Sequence, residues 1–135
     1  MISLDKNSLK LIFDEVKTIA LVGASSNPNR DSYKVMKFLQ DFGFEVFPVN
    51  PKLVSTKILG KECYPSLASI EQPIDMVDVF RAEEYIPMIV NEAIKIKAKI
   101  LWTQEGLYSE EAESLGKNAG LKVVMDKCPK KILEN

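Results

Sequence analysis

The sequence predicts an α/β fold in which one doubly wound, Rossmann-like parallel sheet carries helices on both faces. Five short apolar runs alternate with stretches of helical periodicity, which is the pattern of consecutive β-α-β units. The runs are apolar nearly throughout, as expected of strands that are buried on both faces. The chain has 135 residues, of which 46% are hydrophobic, enough for one core and too few for two ordinary domains. We therefore expect residues 1–135 to form a single domain with about five strands.

The N-terminal segment, residues 1–17, is expected to contain a helix that packs on this domain. Either Asp5 or Ser8 is suited to cap the helix, because both side chains accept hydrogen bonds from free backbone amides. The apolar residues of the segment recur at helical spacing and are Leu9, Ile12, Phe13 and Val16. The run TIALV (18–22) follows as the first strand of the sheet.

The next helix and strand lie between residues 32 and 50. The segment SYKVMKFLQDFG places apolar residues on one helical face, and Gly43 is well suited to end the helix. The second strand is FEVFPVN (44–50), which Pro51 ends. A loop follows, and we expect its segment ILGKECYPSL to contain a short extended piece and a turn.

Three further strands alternate with two helices in the second half of the chain, before a basic tail. The strands are DMVDVF (75–80), KILWT (99–103) and LKVVM (121–125). The helix between the first two includes Pro87, which a helix tolerates only near its first turn. The last predicted helix begins after Ser109, a good N-cap followed by acidic residues, and ends at Gly120. Right-handed crossovers make 3-2-1-4-5 the expected strand order.

A doubly wound sheet binds ligands beyond the carboxyl ends of its strands, at the point where the strand order reverses. In the expected order this point lies between the first and fourth strands. The loops that reach this edge of the sheet comprise residues 23–32, 50–52, 80–81, 103–106 and 126–128. We expect the functional residues to lie in these loops.

The loop after the first strand has the features of a phosphate-binding turn. Gly23 allows a sharp turn and a close approach of the backbone to a ligand. Small residues with amide and hydroxyl donors follow, namely Ala24, Ser25 and Ser26. Arg30 is able to make a bidentate contact with phosphate, and Ser32 is a candidate cap for the helix, whose positive end favours anions. The loop nevertheless lacks the further glycines of the NAD fingerprint.

The end of the second strand also departs from the NAD pattern. NAD-binding domains carry an acidic residue here that binds the ribose 2′-hydroxyl, whereas this chain has Asn50 and Lys52. Because a lysine attracts a phosphorylated ribose, the pattern favours NADP, with its 2′-phosphate, or coenzyme A, with its 3′-phosphate. Val49 and Pro51 offer an apolar edge for the adenine.

Composition argues against several other function classes. A net charge of −1 gives no general attraction to nucleic acid or to an acidic membrane surface. The sequence has no histidine, the commonest general base and metal ligand, and its two cysteines lack metal-ligand spacing. We therefore expect no catalytic residues and no metal site. No apolar run approaches the ~20 residues that span a bilayer, and no signal peptide is recognisable, so we expect a cytoplasmic location.

Six motifs, taken in order, resemble those of the small single-domain CoA-binding proteins. They are VGASSNPNRDSYKV, FPVNPK, ILGKECYPSL, DMVDVFR, LWTQEGLYSEEA and VVMDKCPK. The same motifs resemble the CoA-binding domain of the succinyl-CoA synthetase α subunit and of ADP-forming acyl-CoA synthetases. The resemblance extends from about Thr18 to Lys130 and implies that coenzyme A is the ligand.

The resemblance implies a role for each loop at the carboxyl edge of the sheet. The residues that would contact the diphosphate are Gly23, Ala24, Ser25 and Ser32. The cations for the diphosphate or the ribose phosphate would be Arg30 and Lys52. The residues lining the adenine and ribose would be Val49, Asn50 and Pro51. Those facing the diphosphate or the start of the pantetheine would be Phe80 and Arg81. Those around the pantetheine arm would be Trp102, Gln104, Glu105 and Gly106.

Cys128 follows the fifth strand and is a further candidate for this site. Three lysines surround it in the sequence, which favours the reactive thiolate. We hypothesise that its sulfur forms a mixed disulfide with the thiol of coenzyme A.

The leading prediction is a binding module: a stand-alone carrier, sensor or regulatory protein for coenzyme A or an acyl-CoA, without catalysis of its own. The synthetases use a catalytic histidine, and this chain contains none, so their ligase activity is not transferred to it. Two alternatives stay open. One is an NADP-binding oxidoreductase, and the other is the CoA-binding subunit of an acyl-CoA synthetase that acts with a partner chain. A homodimer or another protein partner is compatible with either role.

Overall fold

A computed structural model of the protein describes residues 5–134 and confirms the predicted α/β fold class. Its strands are β1 (Thr18–Val22), β2 (Glu45–Val49), β3 (Lys57–Ile58), β4 (Lys61–Glu62), β5 (Met76–Val79), β6 (Ile100–Thr103) and β7 (Lys122–Val124). Its α-helices are α1 (Lys6–Ile12), α2 (Asp31–Phe42), α3 (Ile86–Lys95), α4 (Glu110–Asn118) and α5 (Pro129–Leu133). The main sheet has five strands, while β3 and β4 form a separate antiparallel hairpin within the predicted extended segment.

The strand order of the main sheet is β2-β1-β5-β6-β7, and all neighbouring strands are parallel. Counted over the five predicted strands, this order is 2-1-3-4-5, so the predicted order 3-2-1-4-5 is wrong in the position of the third strand. That strand, β5, does not lie outside β2 but pairs with β1, with Ile19 in register with Met76 and Val22 with Val79. The order therefore reverses between β1 and β5, not between the first and fourth strands.

The position of β5 follows from the connection that precedes it. Helix α2 carries the chain from β1 to β2 across one face of the sheet. The segment 50–75 then returns over the other face, where Leu67, Ile70 and Ile74 are buried in the same apolar cluster as α3. Since β2 is an edge strand and the returning segment crosses β1, a right-handed connection places β5 on the free side of β1.

The sheet separates two apolar layers. Ile19 and Leu21 belong to the layer that α1, α2 and α5 cover, while Ala20 and Leu101 belong to the layer beneath α3 and α4. Successive side chains of a strand point to opposite faces. Because both faces of the main sheet are covered, its strands are mostly apolar and not alternately polar, although β5 carries the buried Asp78.

The N-terminal segment forms helix α1 within the described residues. Asp5 caps α1, since its carboxylate accepts a hydrogen bond from the amide of Ser8 at 2.9 Å. The apolar residues of the predicted helical face are all buried, namely Leu9, Ile12, Phe13 and Val16. Residues 1–4 of the predicted segment lie outside the described residues.

The remaining helices lie close to their predicted positions. Gly43 follows the last residue of α2, and Pro87 lies in the first turn of α3. Ser109 caps α4 by accepting a hydrogen bond from the amide of Ala112 at 3.1 Å. Helix α5 was not predicted, and it forms within the basic tail that follows the last strand. In the part of the chain that the structure describes, no helix is both long and apolar enough to cross a membrane.

Candidate functional site

Three adjoining cavities lie at the carboxyl edge of the sheet. The loop pocket, of about 580 Å³, lies between the β1–α2 turn and the loop after β2. The apolar pocket, of about 240 Å³, lies between the ends of β1 and β2 and the first turns of α3. The cationic pocket, of about 470 Å³, lies beyond β5 and β6, between the starts of α2 and α5. Gly23 borders the loop and apolar pockets, and Asp31 and Phe80 border the loop and cationic pockets. The three cavities therefore form one continuous groove.

The structure brings most of the predicted site residues together on this groove. Those that line the loop pocket are Gly23, Ala24, Ser25, Ser26, Arg30, Ser32, Asn50, Lys52 and Phe80. Those that line the apolar pocket include Val49, Pro51 and Arg81. Those that line the cationic pocket include Phe80, Arg81, Gln104, Glu105 and Cys128.

Two predicted residues do not line any of the three cavities. Trp102 is completely buried, with its ring 5.0 Å from that of Phe13, and its indole N–H donates to the carbonyl oxygen of Lys127 at 2.7 Å. It is a core residue that ties the chain after β7 to the sheet. The amide of Gly106 donates to the carboxylate of Asp126 at 2.6 Å, which fixes the loop after β6.

Gly23 lies where the ends of β1 and β5 approach each other closely. Its φ is +94°, and a Cβ atom at this position would lie 2.5 Å from the carbonyl oxygen of Phe80 at the end of β5. Its amide donates to the carbonyl oxygen of Val49 at 2.9 Å, and the amide of Ala24 donates to the same oxygen at 3.3 Å. These two amides hold the loop against β2, so the predicted donation from them to a phosphate would require both bonds to break.

The next residues of the loop leave their amides available. Ser25 Oγ accepts a hydrogen bond from the amide of Asn27 at 3.0 Å, and Asn27 Oδ1 accepts one from the amide of Asn29 at 2.9 Å. These local bonds help to fix the shape of the loop. Within residues 5–134, the amides of Ser25 and Ser26 have no acceptor. Both residues line the loop pocket, so their amides are candidate donors for a ligand there.

The start of α2 adds further donors. The helix begins at Asp31 with Arg30 in the N-cap position, and no side chain caps it. The prediction that Ser32 caps this helix is therefore wrong, because Ser32 lies inside the first turn. The amides of a first turn have no partner within the helix, and they lie at the positive end of its dipole. The loop pocket thus faces an uncapped helix terminus.

Asn50 joins the two loops that form the loop pocket. Its Nδ2 donates to the carbonyl oxygen of Ala24 at 2.9 Å, and its Oδ1 accepts a hydrogen bond from the amide of Lys52 at 2.9 Å. Both ends of this side chain are engaged in the protein. The sequence predicted a ribose or adenine contact here, and the structure shows a side chain that positions the loops.

A buried acid–amide pair lies at the cationic pocket, and only its amide, Gln104, was predicted as a site residue. Asp78 on β5 is completely buried, and Gln104 Nε2 donates to its Oδ1 at a long 3.5 Å. Gln104 lines the pocket with 7% of its surface exposed. Within the described residues, Asp78 Oδ2 is a buried atom without a partner. Burial raises the pKa of Asp78 well above its usual value of 3.8, which favours the neutral acid.

The fold and the groove define a small Rossmann-like domain whose carboxyl edge offers backbone donors and cations to a ligand. The model of the CoA-binding domain family matches residues 17–134. The chain therefore belongs to the CoA-binding domain family, as the sequence motifs indicated.

Known relatives agree with this assignment. The chain is 42% identical over 125 residues to the uncharacterized protein YneT of Bacillus subtilis, covering 93% of this chain and 91% of that protein. It is 28% identical over 120 residues to an ADP-forming acetate–CoA ligase of Methanocaldococcus jannaschii, covering 83% of this chain and 17% of the ligase. The chain thus spans about a sixth of that enzyme.

Solved structures share the fold. A hypothetical protein from Pyrococcus horikoshii OT3 superposes with a TM-score of 0.91 at 39% identity, covering 98% of this chain and 92% of that one. A dinucleotide-forming acetyl-coenzyme A synthetase of Ca. Korarchaeum cryptofilum superposes with a TM-score of 0.67 at 20% identity. At this level of identity, the comparison with the synthetase shows only that the two proteins share the fold.

Replacing Gly23 by alanine should destabilise the protein strongly. The added Cβ meets the backbone of Phe80, which cannot move without disturbing β5, and positive φ adds strain. We expect the free energy of unfolding to fall by about 2 kcal/mol or more, measured by urea denaturation. Gly60→Ala is a matched control, since Gly60 also has positive φ but open space around its Cβ position. Equal losses in the two variants would show that the contact with Phe80 does not matter.

Replacing Asp78 by asparagine should remove a pH-dependent loss of folding stability. The unfolded carboxyl ionises near pH 3.9, whereas the folded one stays protonated to higher pH. The wild type therefore loses stability relative to Asp78→Asn as pH rises from about 4, by about 1.4 kcal/mol per pH unit until the folded group ionises. Urea denaturation at pH 4, 6 and 8 measures this difference.

Asp75→Asn provides the control of opposite sign. Burial acts to raise the pKa of Asp75, but hydrogen bonds from the amides of Lys17 and Thr18, with the charge of Lys99, lower it overall. The wild type should therefore gain stability relative to Asp75→Asn as pH rises through the unfolded pKa, and lose that advantage as pH falls. Parallel pH profiles for the wild type and Asp78→Asn would contradict the buried neutral acid.

Proposed function

We propose that this protein binds coenzyme A, or an acyl-CoA, along the groove at the carboxyl edge of its sheet. The observation that carries the proposal is that three pockets of different chemistry adjoin at this edge and share lining residues. One is apolar, one has free amide donors and one has several cations. Coenzyme A has three parts of matching chemistry: a flat base, a diphosphate and an extended arm. The family of the chain supports this ligand.

The diphosphate would lie in the loop pocket. The free amides of Ser25 and Ser26 and the uncapped first turn of α2 supply donors for its oxygens. Arg30 and Lys52 line the same pocket, and neither has an ion-pair partner among residues 5–134. Two uncompensated cations beside a set of backbone donors suit a ligand with several phosphate charges.

The adenine would occupy the apolar pocket. Val49 and Pro51 form one wall of this pocket and Leu67 and Ile89 another. Lys52 follows directly after Pro51, so a phosphate on the adenine-bearing ribose would lie within its reach. This arrangement favours a ribose that carries an extra phosphate over the plain ribose of NAD.

The pantetheine arm would run past Phe80 and Arg81 into the cationic pocket. Gln104 lies on the floor of this pocket and Cys128, half-buried, lines it. The arm would thus bring its thiol towards Cys128. A mixed disulfide between the two sulfurs stays a prediction of the sequence.

We infer a stand-alone role as carrier, sensor or regulatory module, acting in the cytoplasm. YneT, the relative matched over 91% of its length, is of similar extent. A second candidate is a CoA-binding subunit that acts with a partner chain. This candidate is favoured by the ADP-forming ligases, in which the region similar to this chain is a small part of the enzyme. The NADP-dependent alternative has no comparable support.

Coenzyme A should bind at least about tenfold more tightly than dephospho-CoA, because a charge-assisted contact to the 3′-phosphate contributes about 1.5 kcal/mol or more. Isothermal titration calorimetry of the wild type and Lys52→Gln measures the two affinities. Lys52→Gln should weaken the binding of coenzyme A and leave the binding of dephospho-CoA nearly unchanged. The ratio of the two affinities should then be close to one.

Lys95→Gln is the matched control, since it removes the same charge at the end of α3, on the opposite edge of the sheet. This variant should bind like the wild type. The proposal fails if coenzyme A does not bind, or if NADP binds as tightly. Equal affinities for coenzyme A and dephospho-CoA in the wild type would remove the role given to Lys52.

A further inference from the structure

We propose that the cationic pocket takes an acyl group that ends in a carboxylate, so that the preferred ligand is the CoA thioester of a dicarboxylic acid. This inference rests on the proposed binding of coenzyme A and adds the class of acyl group. It comes from the charges and walls at the end of the groove.

Basic side chains converge on this pocket from three separate elements. Lys34 comes from α2, Arg81 from the end of β5, and Lys130 and Lys131 from α5. Two acidic residues, Asp31 and Glu105, also line the pocket. The guanidinium of Arg81 lies over the ring of Tyr85, 4.3 Å from its centroid, in the direction of the apolar pocket. The three lysines alone still exceed the two carboxylates, which leaves an excess of positive charge in the cavity.

Part of this charge is uncompensated. Lys131 Nζ lies 2.8 Å from a carboxylate oxygen of Glu105, so these two charges neutralise each other. By contrast, neither Lys34 nor Lys130 has a carboxylate within 4.0 Å anywhere in residues 5–134. Two ammonium groups that share a cavity without partners repel each other, and an anion between them removes that repulsion.

Apart from Gln104, the rest of the wall is mostly apolar. Val35, Phe80 and Leu107 line the same cavity as the unpaired lysines. A chain of methylene groups gains by contact with these side chains, whereas an inorganic anion would leave them facing water. Apolar walls with cations around them match an aliphatic chain that carries a terminal carboxylate.

The same lysines have one competing role, which is to bind the diphosphate of coenzyme A itself. That role predicts that their loss weakens every CoA species by the same factor. The proposed role predicts a loss of affinity only for the thioester with a terminal carboxylate. The two are separated by comparing ligands within one variant.

The test is calorimetric titration with CoA, pentanoyl-CoA and glutaryl-CoA, whose acyl groups have the same number of carbons and differ in the terminal carboxylate. The wild type should bind glutaryl-CoA about tenfold more tightly than pentanoyl-CoA, the effect of one charge-assisted hydrogen bond. The preference should fall as salt is raised. Lys130→Gln and Lys34→Gln should each reduce the preference for glutaryl-CoA without changing the affinity for pentanoyl-CoA. Lys95→Gln should keep the preference of the wild type.

Equal affinity for the two thioesters in the wild type would overturn the inference and leave the proposed function standing. An equal loss of affinity for all three ligands in Lys130→Gln and Lys34→Gln would also overturn the inference. Such a result would indicate that these lysines contact the diphosphate. If CoA itself does not bind the wild type, the proposed function fails and the inference fails with it.

Discussion

The contact between Gly23 and the carbonyl of Phe80 is the constraint on which the groove depends. It brings the turn after β1 against the end of β5, the two strands between which the strand order reverses. The carbonyl of Val49 holds the same turn from the other side through two amides. Any side chain at position 23 would push these three strand ends apart. The close approach thus explains both the single glycine of the loop and the continuity of the pockets around it.

Fixing the turn in this way decides which donors are free. The amides of Gly23 and Ala24 are used to hold the loop, and Asn50 joins the loop to the segment after β2. The open donors are therefore those further along, at Ser25, Ser26 and the first turn of α2. A dinucleotide fingerprint uses its later glycines to bring backbone close to the diphosphate. Here a longer loop, held by its own serine and asparagine side chains, offers backbone donors without those glycines.

The sequence predicted the five strands of the main sheet, helices α1 to α4 and many of the residues that line the groove, because apolar runs, caps and the single glycine are local signals. It did not predict the position of β5, since segment 50–75 contains no α-helix to indicate its path across the sheet. Lys34 and Lys130 are distant in the chain, so their shared cavity depends on the packing of α5 against α2. Asp78 is recognisable in the sequence as an acid between two valines of a buried strand. That Gln104 is its partner follows only from the fold, which brings β5 and the end of β6 together.

The free amides of the loop and of α2 form the proposed diphosphate site, and amide NMR of the labelled protein titrated with coenzyme A tests this role most directly. The largest chemical-shift changes should fall on Ser25, Ser26 and the first turn of α2. Smaller changes are expected at Gln104, and none at the Phe42–Phe44 pair on the opposite edge of the sheet. Changes that leave the amides of the loop and of α2 unaffected, or that centre on the opposite edge, would contradict the account.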